Sequence, residues 1–222
     1  MLLILEGHQR ETYAHYFDEM FALRHQIFIQ GLGWNLPASL SEKEIDQYDV
    51  GEAVYLVDIN DDDQIQGTVR LAPSETCSLV ADSFSHLVEG DIKIRSPDVY
   101  EATRYIFRPL CKKAHENRAA KARLLSGMLE LCRMRSVGYV QGIVDLRDYP
   151  GWLELVPQTI PLGLPHPYGG GRGAPGGGEC IAFRWPASHE TIQGIRAYGR
   201  LGAIPIDFLN VEEGTIQQLT WH

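Results

Sequence analysis

The chain of 222 residues has only four cysteines, Cys77, Cys111, Cys132 and Cys180, scattered and without a C-x-x-C pair. A disulfide framework and a closed zinc site both need paired or clustered thiols, so neither is expected, and a reducing cytoplasm is the expected location. The eight histidines form no H-x-H or H-E-x-x-H spacing, and no metal is expected. No run of 18 or more residues is apolar, so membrane insertion is not expected. The opening MLLILEGHQRETY lacks a basic leader and a small-residue cleavage site, and it reads as a first strand. Positive charge is scarce: 20 Lys and Arg stand against 29 Asp and Glu, a net charge of −9. That balance argues against a nucleic-acid partner, whose phosphates repel an acidic surface. Internal repeats are absent.

What is present is an ordinary globular composition, 44% hydrophobic and 22% charged, enough for a single domain over residues 1–222. LLILE, AVYLVDI, QIQGTVRLA, VYEATRYIF, VGYVQGIVD and CIAFRW read as strands, the second and third joined as a hairpin through DDD. Helical spacing of Tyr13, Phe17, Met20, Phe21, Ile27 and Phe28 predicts a helix over residues 10–28. Further helices are expected over SLVADSFSHLVE, ENRAAKARLLSGMLELCRMRS (the longest), DYPGWLELV and HETIQGIRAYGR. The segment between Gly31 and Glu52 is too polar and Gly/Pro-rich for regular core structure. PLGLPHPYGGGRGAPGGGE is the low-complexity tract, and its glycines and prolines predict no regular structure there. Mixed hairpin and crossover connections imply an α/β (α+β) fold around a mixed sheet.

Several residues resist a packing explanation. Arg24 falls on the apolar face of the first helix, Arg70 lies within TVRLA, and Arg104 within YEATRYIF. A buried unpaired charge costs several kcal/mol, so these cations need partners. The acids Glu44, Asp46 and Asp49 of E-I-D-Q-Y-D are the candidates, with ordinary surface salt bridges as the alternative. In an ideal strand Glu101, Thr103 and Tyr105 share one face and Arg104 takes the other. If Glu101 and Arg104 serve one site, a bulge must reset the facing. A Glu101 carboxylate held among aromatics would have a raised pKa and accept a proton from an amine; the alternative is a Glu paired with a neighbouring Arg. Phe28 and Trp34 are either core plugs or the walls of a site for a cation, since a sulfonium is drawn to an indole face. Lys112, Lys113, Arg118, Lys121, Arg123, Arg133 and Arg135 form a basic cluster, either a solvated helix face or a seat for an anionic partner.

In order along the chain, R-H-Q-I-F at 24–28, L-G-W at 32–34, E-I-D-Q-Y-D at 44–49, Y-L-V at 55–57, G-T-V-R-L at 67–71, D-S-F at 82–84 and E-A-T-R-Y at 101–105 resemble the signature of LuxI-type autoinducer synthases, the acyl-homoserine-lactone synthases. The resemblance covers residues 20–110 strongly, and GYVQGIVD, PLGLP and IAF continue it more faintly. It implies a GCN5-related acetyltransferase-like fold, a mixed twisted sheet flanked by helices and split by a V-shaped opening for an acyl thioester. It also implies catalytic roles for Arg24, Asp46, Asp49, Arg70, Glu101 and Arg104. Phe28, Trp34, Glu44, Phe84, Thr103 and Tyr105 become substrate-binding residues. Tyr100 stands where the family often has Trp, and Thr103 where Ser is common. Gly142 and Val144 occupy the stretch where makers of 3-oxo-acyl products often carry Thr, which argues against that preference. The glycine-rich stretch at 169–178 is longer than the family pattern implies.

The implied reaction transfers an acyl group from acyl carrier protein or acyl-CoA to the amine of S-adenosylmethionine and closes the lactone, releasing methylthioadenosine. S-Adenosylmethionine is a substrate in this scheme, and no cofactor is expected. Carrier protein is the commoner donor in the family and the one expected here. The oxyanion donors are expected from the segment after the central strand, and a monomer is expected. The alternative is an N-acyltransferase of the same fold acting on another amine. That activity usually brings an R/Q-x-x-G-x-G/A loop after the central strand, where this chain reads PLCKKAHENRAAKARLL.

Overall fold

The computed structural model describes residues 1–36, 42–108, 114–171, 173–202, 208–212 and 215–219. The N-terminal strand β1 (Leu2–Glu6) alternates its side chains between two cores. Leu2 and Ile4 pack on one face of the sheet, Leu3 and Leu5 on the other. After a 3-10 turn, helix α1 (Ala14–Arg24) lays Phe17, Met20 and Phe21 onto the second face and continues as a π-helix, His25–Gly31. The expected helix over 10–28 thus starts later and changes its hydrogen-bond register at its end. That widened turn carries Phe28.

Strands β2 (Val54–Ile59) and β3 (Ile65–Pro73) form the expected antiparallel hairpin. The stretch expected as one helix after them holds only α2 (Leu79–Ser83) and a 3-10 turn at Ser85–Leu87. Strand β4 (Val99–Phe107) pairs antiparallel with β3 and is followed by the longest helix, α3 (Ala114–Met134). Next come β5 (Tyr139–Asp145), α4 (Tyr149–Leu155), β6 (Ile160–Pro161), β7 (His166–Tyr168), β8 (Gly178–Pro186) and α5 (His189–Gly199). The Gly/Pro-rich tract was expected to hold no regular structure, yet β6 and β7 both pair antiparallel with β8. An edge strand needs few ladder bonds, so the prolines at its margin are tolerated. Strands β9 (Phe208–Glu212) and β10 (Thr215–Leu219), not foreseen from the sequence, extend the sheet beside β1.

The described strands form one mixed sheet, order β10-β9-β1-β2-β3-β4-β5-β8-β6, with β7 beside β8. Helices α3 and α5 cover the face of Leu2 and Ile4, and α1 covers the other. The parallel pair β4–β5 is joined only over Val99–Glu101 and Tyr139–Gln141. Beyond those residues β4 pairs only with β3, and β5 only with β8, so the two strands diverge into the V-shaped split expected of the fold. Gly142 stands at its vertex, where a Cβ would lie 2.9 Å from the Ala102 carbonyl oxygen.

Among the described residues no helix is long and apolar enough to cross a membrane, and no group of three or more His, Cys, Asp or Glu is placed to hold a metal. Cys77, Cys132 and Cys180 are buried free thiols, and Cys111 lies outside the described residues.

Candidate active site

Three arginines and three acids close into a ring at the top of α1, β3 and β4. Arg24 donates from Nε to Glu44 at 2.5 Å and bidentately to Asp49 at 2.7 and 2.9 Å. Arg70 grips Asp46 bidentately at 2.6 and 3.0 Å, lies 2.8 Å from Asp49, and donates to the Thr103 hydroxyl at 2.9 Å. Arg104 closes the ring with Glu44 at 2.8 Å and Asp46 at 2.7 Å. The Tyr55 hydroxyl adds a bond to Asp49 at 2.8 Å. Six charges cancel, and every one meets opposite charge with good geometry, which is what makes such burial tolerable. Burial pushes the Asp49 and Glu44 carboxyls up. The guanidinium bonds outweigh it, from Arg24 on Asp49 and from Arg104 and Arg24 on Glu44, and both are held below the usual carboxylate range.

Arg104 is the ring member that lines the two cavities described below. Its φ of 53° is left-handed, and the ladder slips at this point: Arg70 pairs Thr103 but Thr68 pairs Ile106. Two residues of β4 therefore oppose one of β3, the bulge required by the facing conflict. Tyr100, Ala102 and Tyr105 pack on the α3 face, while Thr103 and Arg104 both turn to the face of Arg70. Glu101 lies opposite Ala72, two residues along β3 from Arg70, and so shares that face. The Arg104 guanidinium lies 5.5 Å from the centre of the Phe28 ring, which stacks on Trp34 at 4.9 Å and 14°.

Glu101 is 2% exposed. Its surroundings are not the aromatics expected from sequence. The Ser78 hydroxyl donates to it at 2.6 Å, the Leu79 and Val80 amides at 2.7 and 3.2 Å, and Gln141 at 3.2 Å. Ser78 also caps α2 by accepting from the Ala81 amide, so one serine fixes both the helix end and the carboxylate. Burial raises the Glu101 pKa, against the pull of Ser78, Gln141 and the two amides.

Two cavities open from the split. The larger, about 630 Å³, is walled by Phe28, Trp34, Arg104, Tyr105, Trp152 and Trp185. The other, about 550 Å³, lies on the α2 side and is walled by Trp34, Leu79, Phe84, Glu101, Thr103 and Val144. The expected residues Phe28, Trp34, Phe84, Glu101, Thr103, Arg104 and Tyr105 all line one or both. Arg24, Glu44, Asp46, Asp49 and Arg70 line neither, and reach the space through Arg104 and Thr103. The glycine loop forms part of the cavity wall. Gly169, Gly170, Gly171, Gly173 and Gly176 all have positive φ, and a Cβ on Gly176 would fall 2.4 Å from the Gly33 oxygen beside Trp34.

Sequence reasoning missed Trp152, Phe183 and Trp185, aromatics of apolar runs that look like core, and Gln141, a lone amide within an apolar strand. Among the described residues of the basic cluster, four are engaged separately. Arg123 pairs with Asp58 at 2.9 Å, Arg135 pairs with Glu6, Arg118 lies over the Tyr198 ring and Lys121 over Trp152. Residues 109–113, which include Lys112 and Lys113 and follow the central strand from whose sequel the oxyanion donors were expected, lie outside the described residues.

Comparison with known proteins agrees with this architecture. The chain is 28% identical over 198 residues to an acyl-homoserine-lactone synthase of Rhizobium etli, covering 89% of each chain. Its fold matches the CoA-dependent acyl-homoserine lactone synthase BjaI, solved with MTA, at a TM-score of 0.78 and 23% identity over 95% and 93% of the two chains. BjaI solved with SAM and isopentyl-CoA matches at 0.77 with the same identity and coverage. A Lactobacillus plantarum protein assigned as an N-acetyltransferase shares the fold more distantly, at a TM-score of 0.53 and 14% identity over 84% and 99%. Residues 8–149 match the family model described as autoinducer synthase, and the chain belongs to that family.

Proposed function

We propose that the protein acylates the amine of S-adenosylmethionine from an acyl thioester and closes the product to an acyl-homoserine lactone, releasing methylthioadenosine as a quorum-sensing signal is made. The observation that carries this reading is the bulge at Arg104. It turns a ring-held cation, set against the Phe28–Trp34 stack, toward the same strand split that Glu101 lines.

The substrate amine attacks only when neutral, and Glu101, directly or through water, takes its proton. Raising a carboxyl pKa toward neutrality by burial makes it a better match for that task. The nitrogen lone pair attacks the thioester carbon, the C–S bond breaks and the donor leaves as a thiol. The substrate carboxylate then attacks its own γ-carbon, and the sulfonium departs. Both groups belong to one molecule, so closure benefits from proximity. The Phe28 and Trp34 faces hold the sulfonium and its substituents. Arg104 meets the substrate carboxylate, while Arg24, Arg70, Glu44, Asp46 and Asp49 hold Arg104 and the 42–49 loop in register. Phe84, Thr103 and Tyr105 shape the two cavities.

For the donor, Arg123 and Arg135 spend their charge on Asp58 and Glu6, which weakens the case for a carrier-protein seat and favours acyl-CoA. The enzyme acts as a cytoplasmic monomer in this account. Incubation with S-adenosylmethionine and either acyl-CoA or acyl carrier protein, read for methylthioadenosine and lactone, tests the proposal. N-acylation of another amine without methylthioadenosine would replace it with a plain N-acyltransferase.

A further inference from the structure

The polar contacts of Glu101 continue across two more strands. Glu101 pairs in register with Gln141 on β5, and Gln141 pairs in register with Arg184 on β8. Gln141 is fully buried. Its Nε2 donates to Glu101 Oε2 at 3.2 Å and to the Ile94 carbonyl at 3.1 Å. Its Oε1 accepts from Arg184 at 2.8 Å, and the same guanidinium nitrogen donates to the Lys93 carbonyl at 2.9 Å. A guanidinium can only donate, so the amide must turn its oxygen toward Arg184. That leaves the NH₂ no choice but to face the carboxylate.

We propose that Gln141 and Arg184 are positioning residues for acyl transfer: Arg184 fixes the amide of Gln141, and Gln141 fixes the Glu101 carboxylate as an anionic acceptor aimed into the split. This rests on Glu101 acting as the base. Around Glu101, α2 contributes a hydroxyl and two amides, β3 contributes Ala72 and β5 contributes Gln141. None of these groups titrates. Arg184 is the cation that the chain of bonds reaches, with the Tyr139 ring 5.7 Å from its guanidinium and Asp98 nearby. Without Arg184 the Ile94 carbonyl is the remaining neutral partner that orients the amide, so the NH₂ is less firmly presented to the carboxylate, which disfavours the anion.

The test is a titration of the Glu101 side-chain carboxyl by carbon-13 NMR in the wild type, Arg184→Met, Arg184→Gln and Gln141→Leu, beside the pH profile of kcat with S-adenosylmethionine and acyl-CoA. The Arg184 position is part-exposed, and Arg184→Gln keeps a donor while removing the charge. Each variant is expected to raise the carboxyl midpoint by about one pH unit, a tenfold change in proton affinity, and to move the acidic limb of kcat with it. The KM for S-adenosylmethionine should change less than about twofold, because the uniform binding contacts are untouched. Arg184→Lys should restore most of the wild-type midpoint. Unmoved midpoints in folded variants would overturn the proposal, leaving Gln141 and Arg184 as sheet-filling groups. If instead the midpoints move while Glu101→Gln turns over normally, the base assignment fails and the coupling among the three residues stands.

Discussion

Arg104 carries more of the site than any other side chain, because its backbone, its charge and its place in the cavity walls all serve different ends. A non-glycine residue at φ 53° costs about 1–3 kcal/mol, and the ring of acids holds it there. Arg24 lines neither cavity, and its role is to balance Glu44 and Asp49. Replacing it by Met leaves two buried carboxylates with one guanidinium each instead of two, Arg104 on Glu44 and Arg70 on Asp49. A loss of about 3–5 kcal/mol in urea unfolding is expected, and a loss under about 1 kcal/mol would show that the ring is not a single unit. Glu101→Gln keeps the shape but puts an NH₂ against the donors of Ser78 and Leu79. Turnover should fall by two or more orders of magnitude. Near-normal turnover would remove Glu101 from the chemistry. For Trp34→Ala, the KM for S-adenosylmethionine should rise about tenfold through loss of the ring face that pairs with Phe28, and an unchanged KM would place the sulfonium elsewhere.

At the scale of elements, the site depends on two backbone segments in contact. The glycine loop between β7 and β8 lies on Gly33, leaving no room for a side chain at Gly176. Gly176→Ala puts a Cβ on a backbone at φ +68° and 2.4 Å from the Gly33 oxygen, and the loop must lift away from Trp34. A fall in kcat/KM of roughly tenfold with little change in unfolding temperature is expected, since a lifted surface loop removes cavity wall and not core. A large drop in unfolding temperature with normal kinetics would assign the loop to stability instead. Strands β1 to β4 were legible as short apolar runs, and the conflict between Glu101 and Arg104 was legible because successive strand residues face opposite ways. The π-helix at Phe28 was not, since a change in backbone hydrogen-bond register leaves the apolar spacing nearly intact. Trp152 and Trp185 were hidden for a related reason: a cavity wall and a core position select the same residues. The two strands at the C-terminal end carried no turn or alternation signal strong enough to outweigh their polar residues.

Across the whole molecule, the ring ties α1, the 42–49 loop, β3 and β4 together, so its protonation state is a property of the fold. The folded-state pKa values of Asp49 and Glu44 lie below their ordinary values. Groups depressed in this way stabilise the fold above the unfolded pKa and cease to do so as pH falls through the folded one. The ring's contribution to stability should therefore be flat above about pH 5 and decline progressively below about pH 4. Arg24→Met should flatten that acid limb, and an unchanged limb would place the titrating carboxylates elsewhere. The same ring makes the chemistry local to one strand split, where an amine, a thioester and a sulfonium must all be handled. The most direct measurement is mass spectrometry of a reaction containing the protein, S-adenosylmethionine and a mixture of acyl-CoA thioesters. Acyl-homoserine lactone and methylthioadenosine in equal amounts are expected, both lost in Glu101→Gln. Acylated product without methylthioadenosine, or no product from any donor including acyl carrier protein, would contradict the account.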